Sequence, residues 1–378
     1  MVRLPFSYVS AYKRELRASL AGPGQPPLPS GHLSEALAWA AGYRTHAALT
    51  QAQPRSVSLD PARLWERLEE LGHARPQGRS KLAPSTPGHT PEDDLMMLTP
   101  MGLGYSPEQA HALAWMARQP TGAVLVTGAT CAGKSTTVRS LAFSSISTPP
   151  RLRIAQDPEA RGMDATETDT APAISSAFPR DALLAAMRAD PQRLVLGEVR
   201  SQAAAQALME TVQSGKAVWS TLHADSLSNV FSRLLALGVP LRQLNTPNFL
   251  VGLVHQRLMP VLCHRCATPL DLTALSSRAW DHLHREIRDT LSLESDFPHL
   301  RQRGEGCAHC RHTGYVHRTL VAAVVTAEKD DLSPRQRFAK NGPHLFTHAL
   351  EKMRAGLLDL RDVHLLVNRL DRTRPPVA

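Results

Sequence analysis

Apolar positions along this chain alternate between helical spacing and short unbroken runs. Ser106-Pro107-Glu108-Gln109 opens a helical stretch to about Gln119, with a serine able to cap, a glutamine able to return the bond and a proline at the first helical position. The run Ala123-Val124-Leu125-Val126-Thr127 follows at once and reads as a buried strand. Helical spacing returns from Ser135 to about Phe143, then at Pro179 to Ala189, Gln202 to Gln213 and Leu227 to Leu237, where Gly238 stops it. A second apolar run, Leu194-Val195-Leu196-Gly197-Glu198, reads as another strand and ends in a carboxylate. Strands alternating with helices predict an α/β fold around a mainly parallel sheet. Active residues then gather at the C-terminal ends of the strands.

The first hundred positions follow a different rule. Gly22 to Ser30 and Arg75 to Pro91 are rich in proline, glycine and serine and read as a loop and a linker. Between them Ser34 to Gly42 and Pro61 to Leu71 have helical spacing, predicting a small helical N-terminal module. The domain organisation predicted is therefore a module over 1–75, a linker over 76–102, a catalytic core over 103–260, a cysteine-bearing element over 261–318 and a helical end over 319–378.

Composition changes that picture little. Hydrophobic residues make up 42% and charged residues 20%, an ordinary globular balance able to bury a core. Lys and Arg exceed Asp and Glu by nine, which suits an anionic partner such as phospholipid head groups, nucleic acid or an acidic protein. A solvated basic surface explains the same charge, because no Lys/Arg run reaches five. The N-terminal residues carry no signal-peptide pattern and no span has the length of a membrane helix, so the expected place is the cytoplasm, with any membrane role exerted by docking.

Candidate chemistry sits behind the first strand. Gly128, Ala129, Thr130, Cys131, Ala132, Gly133, Lys134 and Ser135 form a complete G-x-x-x-x-G-K-[ST] phosphate loop, followed by Thr136. Its glycines allow a tight turn, so that backbone amides and the following helix N-terminus face the phosphates. Lys134 then reaches the β and γ phosphates of a nucleoside triphosphate and Ser135 ligates Mg²⁺. Glu198, at the end of a strand behind this loop, is the candidate for activating water. Cys131 lies inside the loop, where amides and Lys134 favour its thiolate; a tolerated small side chain at a free position is the rival reading.

The other four cysteines form Cys263-His264-Arg265-Cys266 and Cys307-Ala308-His309-Cys310. Two such pairs can surround one Zn²⁺ with four thiolates, which leaves His264 and His309 outside the shell. Disulfides are the alternative, disfavoured in a reducing compartment.

The order of the motifs is more specific than any one of them. The phosphate loop, an acidic box ending in Asp157-Pro158, Arg188-x-Asp190-Pro191, Gly197-Glu198-Val199-Arg200, Ser220-Thr221-Leu222-His223 and Gln256-Arg257-Leu258 ahead of the first cysteine pair resemble the secretion ATPases of type II secretion and type IV pilus assembly. The resemblance runs from about Leu103 to Leu370. It implies a RecA-like P-loop core using ATP and Mg²⁺, with Asp157 and Glu159 as the acidic box, Glu198 as the Walker B glutamate, Arg200 beside it and His223 as the histidine-box residue. It also implies a hexameric ring that works beneath an inner-membrane platform protein. Assembly and secretion members of that family carry a tetracysteine element and retraction members generally do not, which points toward polymer extension.

This chain departs from the family pattern at several positions. Gln156 stands where the family has a glutamate, Ser201 where it has an aspartate, and Ser214-Gly215-Lys216 where its loop carries a histidine. Val321 to Val324 replace a segment that commonly holds a glutamate. The domain that usually precedes the core and supplies arginines to the nucleotide finds no match before Leu103. Slow hydrolysis is therefore expected. The leading reading is an ATP-driven hexameric motor for pilus assembly, secretion or conjugation. The alternatives are a nucleotide-binding scaffold or regulatory paralogue with little turnover, and a zinc- and ATP-dependent nucleic-acid protein supported by charge alone.

Overall fold

Every residue of Gly122–Gly128 is buried, as an apolar strand with neighbours on both edges requires. The computed structural model describes residues 2–20, 28–54, 56–73, 99–143, 152–155, 193–271, 300–327 and 345–371. Its strands are β1 (Val2–Pro5), β2 (Ser56–Leu59), β3 (Gly122–Gly128), β4 (Leu152–Ala155), β5 (Arg193–Glu198), β6 (Ala217–His223), β7 (Leu250–Leu262), β8 (Thr268–Pro269), β9 (Arg301–Gln302) and β10 (Tyr315–Thr326). The helix expected at Pro179 to Ala189, Arg188-x-Asp190-Pro191 and the linker at Arg75 to Pro91 lie outside the described residues.

The chain divides into two units, Met1–Arg257 with Ala322–Pro343 and Leu258–Val321 with His344–Ala378. In the first, one sheet runs in the spatial order β10-β7-β3-β6-β5-β4. The pairs β3 with β6, β3 with β7, β5 with β6 and β4 with β5 are all parallel. Parallel neighbours need long crossovers, and among the described residues the helices Lys134–Phe143, Gln202–Gln213 and Leu227–Ala236 lie in them.

The helical module lies ahead of this sheet. It contains α1 (Val9–Leu20), α2 (Ser30–Ala40), α3 (His46–Ala52) and α4 (Pro61–Glu70). Tyr12, Leu16, Leu33, Leu37, Leu49, Leu64 and Leu68 are buried together in one cluster. The structure adds a feature that helical spacing does not contain: β1 and β2 pair antiparallel, with Val2 opposite Leu59 and Pro5 opposite Ser56. The cluster extends to Met101 in the short helix α5 (Pro100–Leu103). There the Met101 N–H donates to Glu15 Oε2 at 3.1 Å, and burial raises the Glu15 carboxyl to about 7 against that bond.

Local signals decide the helix ends. The α6 helix (Pro107–Arg118) has both bonds of its capping box, Ser106 and Gln109 each accepting from the other's backbone. After α7 (Lys134–Phe143), Ser201 caps α8 (Gln202–Gln213) and Ser226 caps α9 (Leu227–Ala236). Gly238, at φ 87°, turns the chain out of α9 in a conformation that disfavours a Cβ.

The second unit is built on β8 and β9, a short antiparallel pair, and on helices beyond α10 (Leu241–Leu244): α11 (Leu345–Arg354) and α12 (Leu360–Asp371). Asp359 caps the last helix by accepting from Arg361 N at 2.8 Å while its other oxygen takes Arg303 N at 2.6 Å. Lys352 is buried on α11 and donates to Thr319 Oγ1 at 2.7 Å and to the Leu320 carbonyl. Burial lowers its pKa from 10.5 to about 7, against an opposing pull from Glu351. The unfolded amine keeps its ordinary proton affinity, so between those values the unfolded state binds more protons and stability climbs with pH. Below about pH 7 both states are charged and that gain is lost. Lys352→Met is expected to flatten the climb. Thermal unfolding of the full chain at pH 7 and pH 9 measures it, and an undiminished pH slope in the variant counts against a neutral buried amine.

Candidate functional site

Between β3 and α7 the chain makes the turn Gly128 to Ser135. Gly128 has φ 149°, and a Cβ there would come within 2.4 Å of the Gln256 carbonyl oxygen, so no larger residue fits. Cys131 is exposed and takes φ 60°, a left-handed conformation that costs a residue with a Cβ about 1–2 kcal/mol. Lys134 folds back across the turn and donates to the carbonyls of Gly128 and Ala129 at 3.1 and 3.0 Å. Partial burial lowers its pKa, while the charge of Glu198 acts in the opposite direction. Thr130, Ser135 and Thr136 are exposed, whereas Ala132 is buried.

A buried network holds the underside of this turn. Gln256 Oε1 accepts from Tyr105 Oη at 2.8 Å and from Thr137 Oγ1 at 2.9 Å, and Gln256 Nε2 donates to the Ala132 carbonyl at 2.8 Å. Burial raises the Tyr105 phenol, so it stays a donor. Each polar group in the network is satisfied, which rigidifies the turn.

Strand order brings the other candidates to the same edge of the sheet. On β5 the register shifts between Val195 and Glu198, so that Glu198 pairs with Thr221 of β6. Val199 N donates to the Thr221 carbonyl at 2.8 Å and holds the end of that strand. His223 ends β6 directly opposite Gly128 of β3. Glu198 is half-buried and lies close enough for its charge to act on Lys134, while His223 and Arg200 are exposed. Lys134, Glu198 and His223 thus converge at the C-terminal ends of three adjacent strands, the place where open parallel sheets hold ligands. Asp157, Glu159 and Gln156 lie outside the described residues. Sequence patterns alone assign no role to Tyr105, Thr127 or His255. Tyr105 directly precedes a capping serine, and His255 directly precedes Gln256, but neither neighbourhood reveals a contact across the sheet.

In the second unit, the sulfurs of Cys263, Cys266, Cys307 and Cys310 all lie within 4.8 Å of one another. The Cys263–Cys307, Cys266–Cys310 and Cys307–Cys310 distances are each 3.8 Å. Metal–sulfur bonds of about 2.3 Å in a tetrahedron give an edge of about 3.8 Å. None of the four is paired in a disulfide. Desolvation acts to raise the Cys310 thiol, but amide bonds from Cys307 N at 3.1 Å and Gly314 N at 3.3 Å bring it down to about 6. Such donors favour thiolate, the form that binds metal. The close turn also needs Gly304, where a Cβ would fall 1.8 Å from the Cys266 carbonyl oxygen. The rings of His264 and His309 meet edge to face at 5.0 Å on the exposed side.

The family model for the type II/IV secretion system protein matches residues 92–365. Among curated proteins, the type II secretion system ATPase E of Vibrio cholerae is 27% identical over 257 residues, covering 65% of this chain and 48% of that protein. The type IV pilus assembly ATPase PilB of Pseudomonas aeruginosa is 29% identical over 271 residues, covering 70% and 44%. The chain therefore spans about half the length of the curated relatives it matches. Among solved structures it is similar to the ATPase DotB of Legionella pneumophila, at 18% identity and a TM-score of 0.46, over 71% of this chain and 65% of that one.

Proposed function

The chain belongs to the type II/IV secretion system protein family, and from that premise we propose that it is an ATP-hydrolysing motor of a pilus-assembly, type II-like secretion or conjugative machine. The observation that carries this reading is the convergence of Lys134, Glu198 and His223 beside a complete phosphate loop. In hydrolysis, water attacks the γ-phosphorus in line while the bond to the β-phosphate oxygen breaks. Lys134 leaves the loop carbonyls to meet the phosphates, Ser135 supplies a hydroxyl for Mg²⁺, and Glu198 orients the attacking water. His223, opposite the first loop glycine, is set to contact the terminal phosphate. We assign Asp157 and Glu159 to the same site from the sequence resemblance, with Arg200 as a neighbouring cation.

The four cysteines are read as a structural Zn²⁺ site, since four thiolates at this spacing complete a tetrahedral shell. The working form is proposed to be a homo-hexamer, because in this family neighbouring subunits complete the nucleotide site. It would act in the cytoplasm, docked peripherally on an inner-membrane platform protein. Among the described residues no helix is long and apolar enough to cross a membrane. Gln156 in place of a carboxylate favours one second reading, a nucleotide-binding scaffold with little turnover.

Purified full-length protein tests both readings. Wild type is expected to bind a fluorescent ATP analogue and release phosphate from ATP. Lys134→Ala is expected to weaken binding about 10- to 100-fold, as losing hydrogen bonds from a charged donor does. Binding without phosphate release selects the scaffold. A wild-type protein that binds no nucleotide overturns both.

A further inference from the structure

Gln256 of β7 meets the phosphate loop at both of its ends. Its backbone carbonyl oxygen lies 2.4 Å from where a Cβ on Gly128 would stand, and its side-chain Nε2 donates to the Ala132 carbonyl at 2.8 Å. The second bond is made from the buried underside of the turn, where Tyr105 and Thr137 both donate to Gln256 Oε1. The Ala132–Gly133 peptide is trans, so its carbonyl and its N–H point in opposite directions. An Ala132 carbonyl held inward therefore turns the Gly133 N–H outward, to the side on which Thr130, Ser135 and Thr136 are exposed.

That N–H has no backbone acceptor among the described residues. Gly133 directly precedes α7, so its amide joins those of the first helical turn, which have no partner within the helix. Amides gathered in this way at a helix start suit an anion. What residue 256 has to supply is narrow: one neutral side chain, fully buried, that donates with one atom and accepts twice with the atom beside it. A side-chain amide does this, whereas an ionised carboxylate has no donor and a thioether of similar length has neither function.

We propose that Gln256 is a positioning residue for nucleotide binding: it fixes the Ala132–Gly133 peptide so that the Gly133 N–H donates to the diphosphate portion that ATP and ADP share. Gln256 acts from beneath the turn, through the peptide it holds. The inference rests on the nucleotide-site reading of Gly128 to Ser135, and deepens it by naming the side chain that aims one amide of the cradle.

The test is the affinity of full-length protein for ADP, which needs no turnover. Gln256→Met is expected to weaken ADP binding about 10- to 100-fold, as losing a hydrogen bond to a charged group does. Gln256→Glu supplies a readout that a space-filling role would not move. Its protonated acid can accept from Tyr105 and Thr137 and donate to the Ala132 carbonyl, whereas its ionised form has no proton to donate. Burial raises a carboxyl above its ordinary range, and Tyr105, the one titrating group bonded to residue 256, keeps its proton because burial raises it too. The ADP affinity of Gln256→Glu, taken as a ratio to wild type at the same pH, should therefore fall about tenfold between pH 5 and pH 9. Where Gln256→Met gives no cooperative thermal transition, the Gln256→Glu profile decides. A pH-independent ratio in Gln256→Glu, or wild-type ADP affinity in folded Gln256→Met, overturns the proposal. Failure of wild type to bind ADP overturns the underlying reading instead.

Discussion

Glu198→Gln is expected to retain ATP and to lose its hydrolysis by about 10²- to 10⁴-fold, the usual effect of removing one positioned catalytic group. The substitution keeps the size of the side chain and its place opposite Thr221 at the end of β5. It also leaves the turn itself untouched, because Gly128, Ala132 and Gln256 are held by bonds that do not involve residue 198. What it removes is a negative charge close enough to act on Lys134. Binding therefore changes little, while the group proposed to orient the attacking water is lost. Phosphate release at saturating ATP, measured beside equilibrium binding, separates the two effects. Wild-type turnover in Glu198→Gln would sink the assignment and transfer the role to a residue of the acidic box.

The second large effect is expected at the cysteines. Cys310→Ser should abolish stoichiometric metal and unfold the segment that carries the four sulfurs, because a hydroxyl is a far poorer zinc ligand than a thiolate. The Cys310 sulfur also receives the amides of Cys307 and Gly314, an arrangement suited to a thiolate. Structural zinc contributes about 10–16 kcal/mol of apparent binding free energy in small zinc-dependent folds, so its loss is felt as loss of folding. Wild-type protein purified without added metal should carry about one Zn²⁺ per chain. Limited proteolysis should then cut Cys310→Ser selectively between Leu258 and Val321. Metal content near zero in wild type, with mass spectrometry finding disulfides, would reverse the claim.

The helix boundaries and the phosphate loop were legible from the residues because their causes are local. A capping box closes over three residues, so Ser106 and Gln109 announce the start of α6 without knowledge of the fold. The glycine requirement at Gly128 is visible as a motif for a similar reason, although the atom that enforces it, the Gln256 oxygen, lies far along the chain. Paired Cys-x-x-Cys spacing likewise specifies the ligand chemistry, because each pair sets two sulfurs on one short turn. The β1–β2 pair was not legible. Each strand is only four residues long, and the partner of Val2 is Leu59.

By itself, then, the sequence determined the ends of α6, α8 and α9, the strands that lead to Gly128 and Glu198, the phosphate cradle and which four sulfurs can share a metal, since each depends on residues a few positions apart. Only the tertiary structure decided that Glu198 acts on Lys134, that His223 stands opposite Gly128, and that Tyr105, Thr137 and Gln256 lock the turn from below. It alone buried Lys352. The physical reason is strand order. Placing β3 between β6 and β7 brings together residues more than a hundred positions apart, and that order follows from how the apolar faces of the whole sheet are covered, which no local pattern records.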